Sequence, residues 1–154
     1  MTDANSQIAL PDPATDTGAE VRILLAECQG PAYKSYSLKA ATEAMQLMDA
    51  VLWNRRNDPA RFNARGAKTL IGIIKAKGQF QGFEQYPEYS SRIKRNLEAE
   101  IAIANDPQDP RNSSYAAFIE AAIETAKAPT YLDPSPGTLA AWVTDLLPLC
   151  RTSC

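Results

Sequence analysis

The chain has 154 residues, 45% of them apolar, and 16 basic side chains against 18 acidic ones, for a net charge of −2 with no histidine. That length suits one domain, which buries roughly 70% of its surface on folding. A His-assisted thiol nucleophile and an imidazole metal site are excluded, Cys28, Cys150 and Cys154 cannot complete a four-Cys zinc cage, and no run approaches the ~18 apolar residues of a membrane span.

Residues 1–16 are polar, acidic and proline-containing, with neither the basic start nor the apolar centre of a signal peptide. They read as a flexible tail, with residues 17–154 as the single folded domain. Over residues 20–31, Val21, Leu24, Leu25 and Cys28 recur at i, i+3, i+4 and i+7. This is the spacing of a short amphipathic helix, stopped by Gly30-Pro31. Glu27 stands on the shoulder of its apolar face, in the last turn. Half burial and the negative helix end both disfavour a carboxylate there and raise its expected pKa, as a general acid near neutral pH requires. The plainer reading is a solvated Glu at a helix edge.

A short polar loop leads to a long helix over residues 37–56, with Ser37 as N-cap. Its polar residues, Lys39, Thr42, Glu43, Gln46 and Asp49, form one stripe, and the rest is apolar. Such a helix is expected to be the central and most buried one. Asp58-Pro59 breaks it. Residues 60–66 are loop with Phe62 as an anchor, and a short apolar helix covers residues 68–76. Residues 77–89, KGQFQGFEQYPEY, carry two glycines, a proline, three glutamines and four aromatic residues. They read as a small β-hairpin or an irregular, aromatic-lined insertion. Aromatic faces and amides suit sugar rings, but Phe80, Phe83 and Tyr86 would serve equally well as plugs of the core.

Helices follow at residues 88–105, with Ile93, Leu97, Ile101 and Ile103 or Ala104 inward, and at 113–127, with Tyr115, Phe118, Ile119, Ala122, Ile123 and Ala126 inward. Residues 128–138 are Pro-rich, and a last helix from residue 136 carries Leu139, Trp142, Val143, Leu146 and Leu147. Periodicity therefore gives a mostly α domain with one small insertion near residues 77–90. Charge is segregated: residues 55–95 hold ten basic against three acidic side chains (+7), while the flanks come to −4 and −5. With no nucleic-acid motif beside it, the basic middle reads as a solvated face rather than a track for a phosphate backbone.

The order of these signals resembles the spore-cortex-lytic family of cell-wall hydrolases, which have a lysozyme-like α+β fold. Ala26-Glu27-Cys28-Gln29-Gly30 is similar to that family's A-E-A-R-G. Val51-Leu52-Trp53-Asn54-Arg55, with Pro59 and Phe62 after it, resembles its V-x-x-N-R segment. Ile71, Ile73 and Gln79-Phe80 look like its V-I-x-x-x-x-Q-F, and the run from Asp133 to Leu139 resembles its D-P-T-G-G-A-L. The likeness covers roughly residues 19–142. Two departures stand out: Pro31 replaces a second glutamate, and Ala140-Ala141-Trp142 follow the last motif where the family has His or aromatic residues.

The resemblance implies cleavage of the β-1,4-linked aminosugar backbone of peptidoglycan, by hydrolysis or transglycosylation, without a cofactor or metal. Glu27 aligns with the family's catalytic glutamate. Gln79, Phe80, Gln81 and Tyr86 would line the sugar sites, and Ser135 would reach the opposite edge. Glu84, Asp133 or a substrate acetamido group would serve as the second catalytic group. Small lysozyme-like domains without a leader occur among type VI secretion effectors, which act in a rival's periplasm and are blocked in the producer by an immunity protein. That resemblance implies an antibacterial toxin secreted without a signal peptide, with an immunity protein covering the cleft at Glu27, and neither nucleic acid nor membrane as partner. The competing class is a non-enzymatic α-helical interaction domain.

Overall fold

A computed structural model of the protein describes residues 7–128. The last expected helix, the Asp133–Leu139 motif with Ser135, and Cys150 and Cys154 lie outside them. The described residues form five helices: α1 (Asp16–Glu27), α2 (Leu38–Asn57), α3 (Leu70–Lys75), α4 (Ser91–Ala104) and α5 (Asn112–Lys127). The protein is mostly helical, and no strand forms among the described residues.

The central helix is α1, not the long helix expected to fill that role. Every residue from Gly18 to Leu25 is buried, and α1 packs against all four other helices. In α2, Ala41, Ala44, Met45, Asp49, Ala50 and Leu52 are buried, while Leu38 is 42% exposed. The polar stripe expected on α2 is broken at its end, because Asp49 points into the core.

Residues 7–15 are not a tail. Ile8 and Asn105 exchange two hydrogen bonds: the Ile8 N–H donates to Oδ1 at 2.7 Å, and Nδ2 donates to the Ile8 carbonyl at 2.9 Å. Nη1 of the buried Arg22 donates to the Pro11 carbonyl at 2.8 Å, and the Tyr86 hydroxyl donates to the Pro13 carbonyl at 2.6 Å. A Cβ on Gly18 would stand 1.9 Å from the Asp12 carbonyl oxygen, so only glycine lets this segment lie against α1. Thr15 then starts α1 as N-cap, its Oγ1 accepting from the Gly18 N–H at 3.0 Å. Four residues later than the true start, the sequence pattern had picked up only the apolar part of this helix.

Residues 77–90 are irregular rather than a hairpin. Turn bonds succeed one another, from the Gln79 N–H to the Ala76 carbonyl, Phe83 to Phe80, Tyr86 to Phe83 and Glu88 to Gln85. Gly78 and Gly82 take positive φ within them. Each turn drops a ring inward, so Phe83, Tyr86 and Tyr89 stack on one another with centroids 5.6–6.3 Å apart. Inward rings supply the burial that a strand ladder would otherwise have to provide.

Candidate active site

α1 ends at Glu27, one turn before the Gly30-Pro31 stop. Cys28 leaves in an extended conformation and caps the helix through its own N–H, bonded to the Leu24 carbonyl. Two successive turns follow, Tyr33 N–H to the Gly30 carbonyl and Tyr36 N–H to the Tyr33 carbonyl, and these leave Tyr33 at the surface. The half-buried Glu27 carboxyl and the Tyr33 ring line a cavity of about 160 Å³ between the C-terminal end of α1 and α4. Leu25, Ile93 and Leu97 give it apolar walls; Gln81, Arg92, Asn96 and Glu100 give it polar ones. A second cavity of about 340 Å³ shares Tyr33, Asn96 and Glu100 with the first and continues to Ile103 and Tyr115. The two form a groove along α4 with Glu100 at their junction.

Glu100 was missed by the sequence reading, which looked for a second carboxylate at Glu84 or Asp133. The buried positions of α4 are Ile93, Leu97, Glu100 and Ala104, spaced i, i+4, i+7 and i+11. Glu100 therefore occupies a core register and is 6% exposed. A charged residue in an apolar stripe is costly unless it is paired and hydrogen-bonded, and that register was readable. Glu84 is engaged within its own loop, its Oε2 accepting from the Gly82 N–H at 2.8 Å.

Of the expected sugar-binding residues among those described, only Gln81 joins Glu27 at the cavity. Gln79 belongs to a different node. Its Oε1 accepts from Nη1 of Arg55 at 3.0 Å and its Nε2 donates to the Phe62 carbonyl at 2.6 Å. The Arg55 guanidinium sits 5.3 Å from the Phe80 ring centroid and 6.0 Å from that of Phe62. Phe80 is 6% exposed and Tyr86 1%. Both rings are thus core plugs, the other of the two readings open to them, and neither face is available to a sugar. Burial pushes the Tyr86 hydroxyl up, and Arg22 partly opposes this. Ser135 lies outside the described residues.

A second pair of carboxyls stands apart from this groove. Glu20 of α1 is 1% exposed and Asp49 of α2 is fully buried. Burial, then the hydrogen bond and charge of Asp49, pushes Glu20 up to about 10. Burial also raises Asp49, against hydrogen bonds from Glu20 and Trp53 that favour its anion. At neutral pH Glu20 therefore holds its proton, buried near Asp49 and the Trp53 indole. Such a pair is enclosed by packing and offers no polymer a way in.

No family model, curated protein or solved structure matches this chain. No helix of the described residues is long and apolar enough to cross a membrane.

Proposed function

We propose that the protein is a peptidoglycan glycoside hydrolase of lysozyme-like type, with Glu27 as general acid and Glu100 as the second carboxylate. The observation that carries this reading is that the two carboxyls line one cavity, reached from the end of α1 and from the core register of α4. Glycosidic cleavage needs one carboxyl group to protonate the leaving oxygen and a second group facing the oxocarbenium-like transition state. Glu27 closes the last turn of α1, which holds no basic residue. Glu100, deeper and flanked by Ile93 and Leu97, faces the reacting sugar from α4. Gln81 and Asn96 supply amides for hydroxyl and acetamido groups, and Tyr33 supplies a ring face. The groove's continuation toward Tyr115 suits an extended glycan rather than a single sugar.

A toxin role fits the same chemistry. Delivered into a rival's periplasm, the enzyme would meet its substrate directly, and an immunity protein in the producer would have to close the groove between Tyr33 and Glu100. The test is lysis of purified wall sacculi by the parent, Glu27→Gln and Glu100→Gln proteins, with product ends read by mass spectrometry. General acid catalysis contributes about 10²–10⁴-fold, so Glu27→Gln should fold, bind wall material and lose nearly all lysis. A Glu27→Gln protein that clears sacculi at the parent's rate removes Glu27 as the general acid, and a parent that clears none leaves a helical interaction domain.

A further inference from the structure

Glu84 is half-buried and lines neither cavity of the groove; its carboxyl holds backbone instead. Oε2 accepts from the Gly82 N–H at 2.8 Å, and that N–H belongs to the peptide unit joining Gln81 to Gly82. The next peptide unit is held as well, because the Gly82 carbonyl accepts from the Ser90 N–H at 3.0 Å. Between the two bonds Gly82 takes a φ of +90°, a left-handed conformation that glycine adopts without strain. A Cβ on Gly82 would stand 2.9 Å from Cδ1 of Ile93 and 3.0 Å from Oγ of Ser90, so the loop lies directly on the start of α4. Ser90 is the N-cap of α4, and Ile93 is a wall of the cavity. The exposed Gln81 therefore leaves this clasp at the rim of the cavity, with the peptide that follows it pinned by Glu84.

We infer that Glu84 is a positioning residue: by holding the Gln81–Gly82 peptide it presents the Gln81 amide to the glycan in the groove, and it takes no part in the chemistry. The inference rests on the reading of the groove as a glycan site and adds what keeps one of its polar contacts in place. Backbone fixed before the ligand arrives spares binding an ordering cost that a loose loop would carry. The clasp needs an acceptor oxygen at this point rather than a negative charge, and a glutamine side chain offers one.

The experiment measures equilibrium binding of the N-acetylglucosamine tetramer, a neutral glycan, in a Glu27→Gln background that stops turnover, with affinities taken per folded molecule. Gln81→Ala should weaken binding about three- to tenfold, the effect of losing a hydrogen-bonding amide. Glu84→Ala should weaken it by a similar factor, and combining it with Gln81→Ala should change the affinity no further, because its effect passes through Gln81. Glu84→Gln should keep most of the affinity. Amide exchange reads the clasp without any ligand: the Gly82 N–H should lose protection in Glu84→Ala and keep it in Glu84→Gln. Two losses that multiply in the double variant overturn the inference, as does a Glu84→Ala protein that binds the tetramer undiminished. A Glu27→Gln protein that binds no tetramer overturns it together with the glycan reading. Unimpaired lysis by Glu27→Gln, with the Gln81 and Glu84 losses still failing to multiply, would instead overturn the catalytic assignment alone.

Discussion

Replacing Glu20 by Gln should stabilise the protein, and increasingly so as pH rises. Glu20 ionises near its ordinary value of 4.5 in the unfolded chain but near 10 in the native one. Between those values the native state holds a proton that the unfolded chain has released. Stability from this group is therefore complete below about pH 4.5 and is lost as pH climbs toward 10. The slope is about 1.4 kcal/mol per pH unit for one proton. Gln keeps the shape but has no proton to lose, so the slope due to Glu20 disappears. The variant should match the parent near pH 4 and exceed it by about 3 kcal/mol near pH 7, the span of about 2.5 units multiplied by that slope. Asp49, raised in the same direction, interacts with Glu20, so the difference between the two proteins reads the pair rather than Glu20 alone. Urea denaturation at several pH values between about 4 and 9 reads both quantities. Parallel stability–pH curves for parent and variant, or a parent that grows more stable toward alkaline pH, would refute a protonated Glu20 in the core.

Tyr86→Ala should cost about 3–5 kcal/mol, because the ring is buried in the aromatic stack and its hydroxyl holds Pro13; thermal melts check this, and affinity for glycan fragments per folded molecule should stay unchanged. Gly18→Ala forces residues 11–12 off α1, since the added methyl meets backbone rather than a flexible side chain. Limited proteolysis should then cut near residues 7–15, a segment the parent protects.

Much of this architecture was legible. The sequence pattern put the long helix at residues 37–56, where α2 covers Leu38–Asn57, and its readings of α4 and α5 fall within a few residues of the observed ends. Ser37 and its cap were found because an N-cap is a local rule, independent of tertiary packing. Glu27 was singled out for its place at a helix end beside an apolar face, and α1 does end on it at the cavity. What was missed depends on contacts between distant residues. Nothing local in residues 7–15 reveals that Arg22, Tyr86 and Asn105 hold them. Asp49 was assigned to a polar stripe, and Glu20 and Glu100 were not singled out, because acidic side chains usually are solvated. Their helical register said otherwise, and Glu100 could have been found by giving register more weight than residue type. The aromatic loop was undecidable in sequence, since rings that plug a core and rings that hold a sugar have the same composition.

The paired amide of Asn105 and backbone of Ile8 join positions 97 residues apart. Closing so long a circuit costs chain entropy that nothing nearby in sequence repays until both ends exist. During synthesis the Ile8 end of this segment therefore has no partner until residue 105 has left the ribosome, while Pro11 and Asp12 can already meet Arg22 and Gly18 of α1. The centre of this domain is made early and finished late.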